Sequence, residues 1–207
     1  MANTKARGYF KYLLALDTET TGLCFNCDNP VFNKDSGEHY QMISGGFVVV
    51  DADTLQPVEE LYVEIQYDPM KDWSVGAEKV HGLTREYLKE NALSREDAVI
   101  TIAELLLKYW GSDGTISLIG HNVATFDRWF LQELMQEHGI NLKFGNRHID
   151  SHAVAFATFK TYNSDDAFDI VGVDKRGDHN ALDDAKASLK VIQTVRQLWD
   201  GLVEPNI

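Results

Sequence analysis

Short apolar runs alternate with amphipathic stripes along this chain, and that alternation restricts the folds open to it. Tyr12 to Asp17 (YLLALD) is apolar and ends on an acid, as a buried strand does. Ile43 to Asp51 and Val58 to Gln66 also read as strands, parted by the turn-like DADTLQP. These three runs predict an antiparallel meander. Thr84 can cap a short helix through Leu88. Ser94 opens a stronger one, because S-R-E-D is a capping-box pattern. Ala98, Val99, Ile102, Leu105, Leu106 and Tyr109 then recur at helical spacing, and GSDG stops them. Thr115 to Gly120 reads as a buried strand, followed by a helix over about 126–138 that Gly139 ends. A short strand at His148 to Asp150 and a short helix at Ser151 to Phe159 follow. Residues 160–178 read as polar and irregular. A last helix over about 181–199 places Leu182, Ala185, Leu189, Ile192, Val195 and Trp199 on one face. With the short helix at Thr84 left out of the count, the order β-β-β-α-β-α-β-α-α predicts an α/β layer protein: a mixed five-stranded sheet covered by helices.

At 207 residues the chain can bury a real core, and its 44% hydrophobic content is ordinary for a globular protein. One domain is expected over 9–200, with a flexible start at 1–8 and a flexible tail at 201–207. No apolar run approaches a membrane span, so no membrane partner is expected. The apolar segment before Asp17 is short and lacks a small-residue cleavage site, which argues against a signal peptide. The two cysteines, Cys24 and Cys27, are too few for a disulfide scaffold, and a cytoplasmic location is the expectation. They could be half a zinc site with His39 nearby, or a redox pair. A second C-x-x-C is missing, which favours two free thiols in the loop of 20–41. The net charge of -13 opposes non-specific binding of long nucleic acid.

The acids carry the chemistry. Asp17 and Glu19 are two residues apart at a strand end, so their side chains face one spot and repel unless a cation lies between them. Asp127 opens a helix just after a buried strand, a place where α/β proteins gather their sites. Asp184 lies near the start of the last helix, with His179 five residues before it. The carboxylates supply oxygen-only ligation, which suits Mg²⁺ or Mn²⁺ rather than zinc. Paired ions of this kind serve in-line attack at a phosphodiester. An imidazole beside them can take a proton from the attacking water.

Three motifs then stand in order: D-T-E-T-T-G, H-N-x-x-x-F-D and H-x-A-L-x-D. They resemble those of the DEDDh 3′–5′ exonucleases, a branch of the ribonuclease H-like fold that includes RNase T and oligoribonuclease. V-H-G-L-T at Val80 to Thr84 is similar to the family's H-G-I-T segment, and the resemblance spans about 15–190. It implies a three-layer ribonuclease H-like fold and release of nucleoside 5′-monophosphates from 3′ ends of single-stranded DNA or RNA. It implies that Asp17, Glu19, Asp127 and Asp184 hold two Mg²⁺ or Mn²⁺ ions, and that His179 deprotonates the attacking water. Thr20 and Leu23 match the segment that holds the terminal nucleotide, the backbone near its 3′-OH and Leu23 against its base. His81 to Leu83 would line the same pocket.

Two departures bear on these roles. The step from His121 to Asp127 is one residue longer than the common H-N-x-x-F-D, and from Asn122 it resembles the motif of polymerase-linked exonuclease domains. That leaves His121 with buried hydrogen bonding as its simplest role. Asp183 adjoins Asp184; the family spacing selects Asp184 and leaves Asp183 solvated. Arg128, Trp129, Arg147, Lys175 and Arg176 are candidates for phosphate or base contacts, against a reading of Trp129 as core and the bases as surface. Two alternative functions fit the same pattern: a phosphodiesterase on dinucleotides or signalling nucleotides, and a non-catalytic nucleic-acid-binding protein that keeps the fold.

Overall fold

The computed structural model describes residues 10–23, 39–173 and 180–202. The expected flexible start at 1–8, Cys24 and Cys27, Lys175, Arg176, His179 and the end of the tail lie outside the described residues.

Strands β1 (Tyr12–Thr20), β2 (Met42–Asp51) and β3 (Pro57–Glu64) form the expected antiparallel meander. β4 (Leu118–Gly120) pairs parallel to β1, and β5 (Ile149–Asp150) parallel to β4, giving one mixed sheet in the order β3-β2-β1-β4-β5. β1 is therefore central. It also runs three residues beyond Asp17, so Glu19 sits inside the strand rather than after it.

Strand alternation sorts the side chains into two cores. Leu14, Leu16, Phe47, Val49 and Val63 meet α3 (Arg95–Trp110) and α4 (Asp127–Glu137) through Ile102, Leu105, Phe130 and Leu134. Leu13, Ala15, Val48 and Val50 face the other way, toward Ala185, Leu189 and Ile192 of α7 (Ala181–Leu202). The result is helix, sheet, helix. A third cluster joins α7 to α5 (Ser151–Phe159) and α6 (Ser164–Ile170) through Ala155, Phe168, Ala187 and Val191.

Side-chain caps fix the helix starts other than that of α4. The Ser94 hydroxyl accepts from the Asp97 amide at 3.1 Å and donates to the Asp97 carboxylate at 2.7 Å. Thr84 caps α2 (Arg85–Asn91), which runs three residues past the expected end at Leu88. Two helices differ from the sequence expectation. α1 (Val75–His81) begins at a Ser74 cap and ends at Gly82, whose φ of 72° suits glycine. α6 occupies the stretch read as irregular: Asn163 caps it, and Asp165 and Asp166 favour its positive end. It buries little beyond Ala167 and Phe168, so its apolar signal is weak. The apolar stripe of α7 is shorter than expected: Trp199, near its C-terminal end, is 65% exposed.

Candidate active site

The site forms where β1 and β4 part. Only Leu14 and Ala15 of β1 pair with β4. Beyond them the backbone amide of Thr18 has no strand partner on that side and donates to Asp127 Oδ1 at 2.8 Å. The Thr18 hydroxyl donates to the same oxygen at 2.8 Å. Asp127 thus continues the ladder with its side chain, and α4 starts against the end of the central strand.

Asp17 and Glu19 point to the α7 face, as their two-residue spacing requires. Opposite Asp17 in the register stands Gly46. A Cβ there would lie 2.3 Å from the backbone of Ala181 and Leu182, so the missing side chain lets α7 start directly on the sheet. Asn180 secures that start, its Oδ1 accepting from the amides of Leu182 (3.0 Å) and Asp183 (3.3 Å). The first turn then aims Asp184 inward and leaves Asp183 exposed, as the spacing predicts. Carboxylate oxygens of Asp17, Glu19 and Asp184 come within 4.8 Å of one another.

A cleft of about 190 Å³ opens over these acids, lined by Asp17, Thr18, Glu19, Asp127 and Asp184 together with His121, Phe126, Ser164 and Phe168. Glu19, Asp127 and Asp184 are buried. Burial pushes the Asp127 carboxyl up to about 7 against the bonds from Thr18, and the nearby Asp150 adds to the rise. A site that gathers buried carboxylates and raises one of them this far calls for positive charge. Oxygen donors alone fit hard divalent cations.

The extra residue in the second motif is absorbed by a turn. Asn122 has φ of 58°, a left-handed conformation that asparagine tolerates. Its amide donates to Asp150 Oδ1 at 3.1 Å, and its carbonyl accepts from the amides of Thr125 (3.0 Å) and Phe126 (3.1 Å). His121 is half-buried and lines the cleft. The turn carries it to the cleft wall with its Nδ1 enclosed.

Thr20, Leu23, His81 and Leu83 are not among the cleft-lining residues. The Thr20 hydroxyl bonds the Gly22 carbonyl at 2.7 Å, and Leu23 is 69% exposed. His81 is buried, its Nδ1 accepting from the Leu83 amide at 3.0 Å. Thr21 ties the first segment to the stretch before α1: its carbonyl accepts from the Ser74 amide and its hydroxyl donates to the Asp72 carbonyl, both at 2.7 Å. Among the weaker candidates, Arg128 lies over the rings of Trp129 (4.9 Å) and Phe144 (5.1 Å). Trp129 is partly exposed, at 37%, rather than core. Sequence reasoning missed Thr18, Phe126, Ser164 and Phe168. The Asn163 cap with acids behind it was the available signal for the last two.

Fold and site together define a ribonuclease H-like protein with a carboxylate centre at the end of its central strand. The family model of the RNase T exonucleases matches residues 14–192, and the chain belongs to that family, as a 3′–5′ exonuclease of the DEDDh type. The 3′–5′ DNA exonuclease Cap18 of Escherichia coli is 25% identical over 173 residues, which cover 73% of this chain and 92% of that protein. A probable oligoribonuclease of Schizosaccharomyces pombe is 24% identical over 204 residues, 96% of this chain and 72% of the relative. The nuclease domain of 3′hExo, a DEDDh family member bound to rAMP, superposes with a TM-score of 0.62 at 19% identity over 94% of each chain. The zinc-bound complex of E. coli exonuclease I with single-stranded DNA gives 0.70 at 14% identity, over 94% of this chain and 43% of the other. These structural likenesses show the fold. Membership of the family implies dependence on divalent metal.

Proposed function

We propose that this exonuclease removes nucleoside 5′-monophosphates from the 3′ ends of single-stranded DNA or short RNA, using two Mg²⁺ or Mn²⁺ ions. The observation that carries the reading is the convergence of Asp17, Glu19 and Asp184 within 4.8 Å, with Asp127 on the same cleft. These four residues would hold the ions, which when bound supply positive charge to the scissile phosphate and its leaving oxygen.

The chain's own groups do the rest. Asp17 and Glu19 are held by the central strand, and Asp184 by the capped start of α7, so little reorganisation is needed when substrate arrives. Thr18 fixes Asp127 with two hydrogen bonds to one oxygen, leaving Oδ2 for ligation. His179, two residues before α7, takes the proton of the attacking water. Thr20, Leu23, His81 and Leu83 seat the terminal nucleotide, with the Thr21 bonds to Asp72 and Ser74 anchoring the first segment beside the start of α1. The charge of -13 favours an end gripped locally over a long strand held along its backbone.

Digestion of matched DNA and RNA oligomers labelled at the 5′ end, with Mg²⁺ or Mn²⁺, tests this reading. A ladder of 3′-shortened products is expected, and the two sugars give the preference. Uniform internal cuts would refute it. His179→Ala should slow release about 10²–10⁴-fold, the loss expected for a general base; an unchanged rate would show that another group takes the proton.

A further inference from the structure

The aromatic side chains at the cleft do not stop there. His121, on the cleft wall, has its ring 5.2 Å from that of His152. His152 lies in the first turn of α5, 6.0 Å from Tyr162, and Tyr162 lies 4.6 Å from Phe156 at an interplanar angle of 36°. His152 and Phe156 are four residues apart on one face of α5. The run therefore leads from the acids along α5 to the surface, each ring within contact distance of the next.

Its outer members serve the core poorly. Tyr162, in the connection between α5 and α6, is 70% exposed and Phe156 of α5 45%, while Ala155 of α5 and Ala167 and Phe168 of α6 are buried. Charge does not explain the patch either. Asp165, Asp166 and Asp169 of α6, which follows Tyr162 in the chain, are exposed, and Lys160 is the one Lys or Arg in the described stretch 151–173. A backbone-gripping groove would be basic. Exposed rings in acidic surroundings that continue a nuclease cleft suit bases rather than phosphates.

We propose that His152, Tyr162 and Phe156 form a stacking platform for the bases that precede the 3′-terminal nucleotide. It follows that the substrate is a single-stranded tail of several nucleotides rather than a dinucleotide. The inference rests on hydrolysis of 3′ ends at the acidic cleft. Every base offers a π-face, so the platform tolerates any sequence and either sugar. Because it makes few phosphate contacts, binding falls only gently with salt.

The test compares a dinucleotide with a dodecamer of oligothymidylate, both labelled at the 5′ end, against the full chain. Tyr162→Ala with Phe156→Ala should raise KM for the dodecamer about 5- to 100-fold. kcat/KM for the dinucleotide should stay at the parent value. Tyr162→Phe keeps the ring and should restore dodecamer binding. Anisotropy of the labelled dodecamer in chelator, at rising sodium chloride, should show a shallow slope for the parent protein. Equal losses on both substrates would mean that the rings only support the fold; no loss on either would mean that the strand leaves by another face or that the patch meets a protein. A steep salt slope would also overturn the proposal. Failure of the parent protein to shorten the dodecamer at all would instead refute the reading of the cleft.

Discussion

Asp127 shows how one residue couples fold and chemistry. Its Oδ1 completes the hydrogen bonding of Thr18 at the end of β1, and its carboxyl is raised from an ordinary 3.8 to about 7 by burial and by Asp150. A carboxyl raised in the fold stabilises it while protonated. That contribution is complete below about 4 and is lost as pH rises through about 7. Without metal, the wild-type protein should therefore lose stability across that window. Asp127→Asn keeps the accepting oxygen for Thr18 but cannot ionise. In chelator at pH 8 it should unfold at a higher temperature than wild type, by on the order of 2 kcal/mol, and the gap should close by pH 4. The same variant should lose Mg²⁺-dependent nucleotide release. Thermal melts at several pH values check the first expectation and the digestion ladder the second. A wild type that is the more stable of the two at pH 8 would contradict the burial argument.

At the scale of elements, the positions of the strands and long helices were legible because period and caps agree there. Ser94, Thr84 and the stripe of α3 mark their elements plainly. The motif acids were legible for a related reason: a charge at the edge of an apolar run is costly unless something uses it. What stayed hidden lies in close approaches and weak helices. α6 buries only Ala167 and Phe168, so no stripe announces it, yet it supplies Ser164 and Phe168 to the cleft. Gly46 is one letter in a strand, and its meaning appears only when α7 rests on it. Its neighbour gives a control. A Cβ at Gly46 meets helix backbone at 2.3 Å, whereas at Gly45 it meets the side chains of Met42 and Phe47. Both alanine variants should lose about 1–3 kcal/mol to overpacking. Only Gly46→Ala should shift Asp184 away from Asp17 and Glu19, with kcat falling about 10²-fold for a displacement near 1 Å. Chemical denaturation and turnover measured side by side separate the two. Equal kcat for both would show that α7 yields without moving Asp184.

Across the whole molecule, the excess of 32 acids over 19 bases sets the energetic background of the site. A chain so acidic repels itself when compact, and the buried acids of the cleft add to the strain at one point. Divalent ions that bind the folded site but not the unfolded chain should relieve this by mass action. At a hundredfold excess over the dissociation constant the gain is about 2.7 kcal/mol. For a protein of this size that corresponds to about 5–10 °C in Tm. Sodium chloride at matched ionic strength screens the diffuse repulsion but cannot bridge acids that lie within 4.8 Å of one another, so its effect should be smaller. Asp17→Ala removes one arm of the cluster and should abolish the Mg²⁺-specific increment while leaving the sodium effect in place. Differential scanning calorimetry of both proteins in the two salts makes the comparison. If the increment survives in Asp17→Ala, the ions act on the general surface charge, and the cluster at the end of β1 is not where they bind.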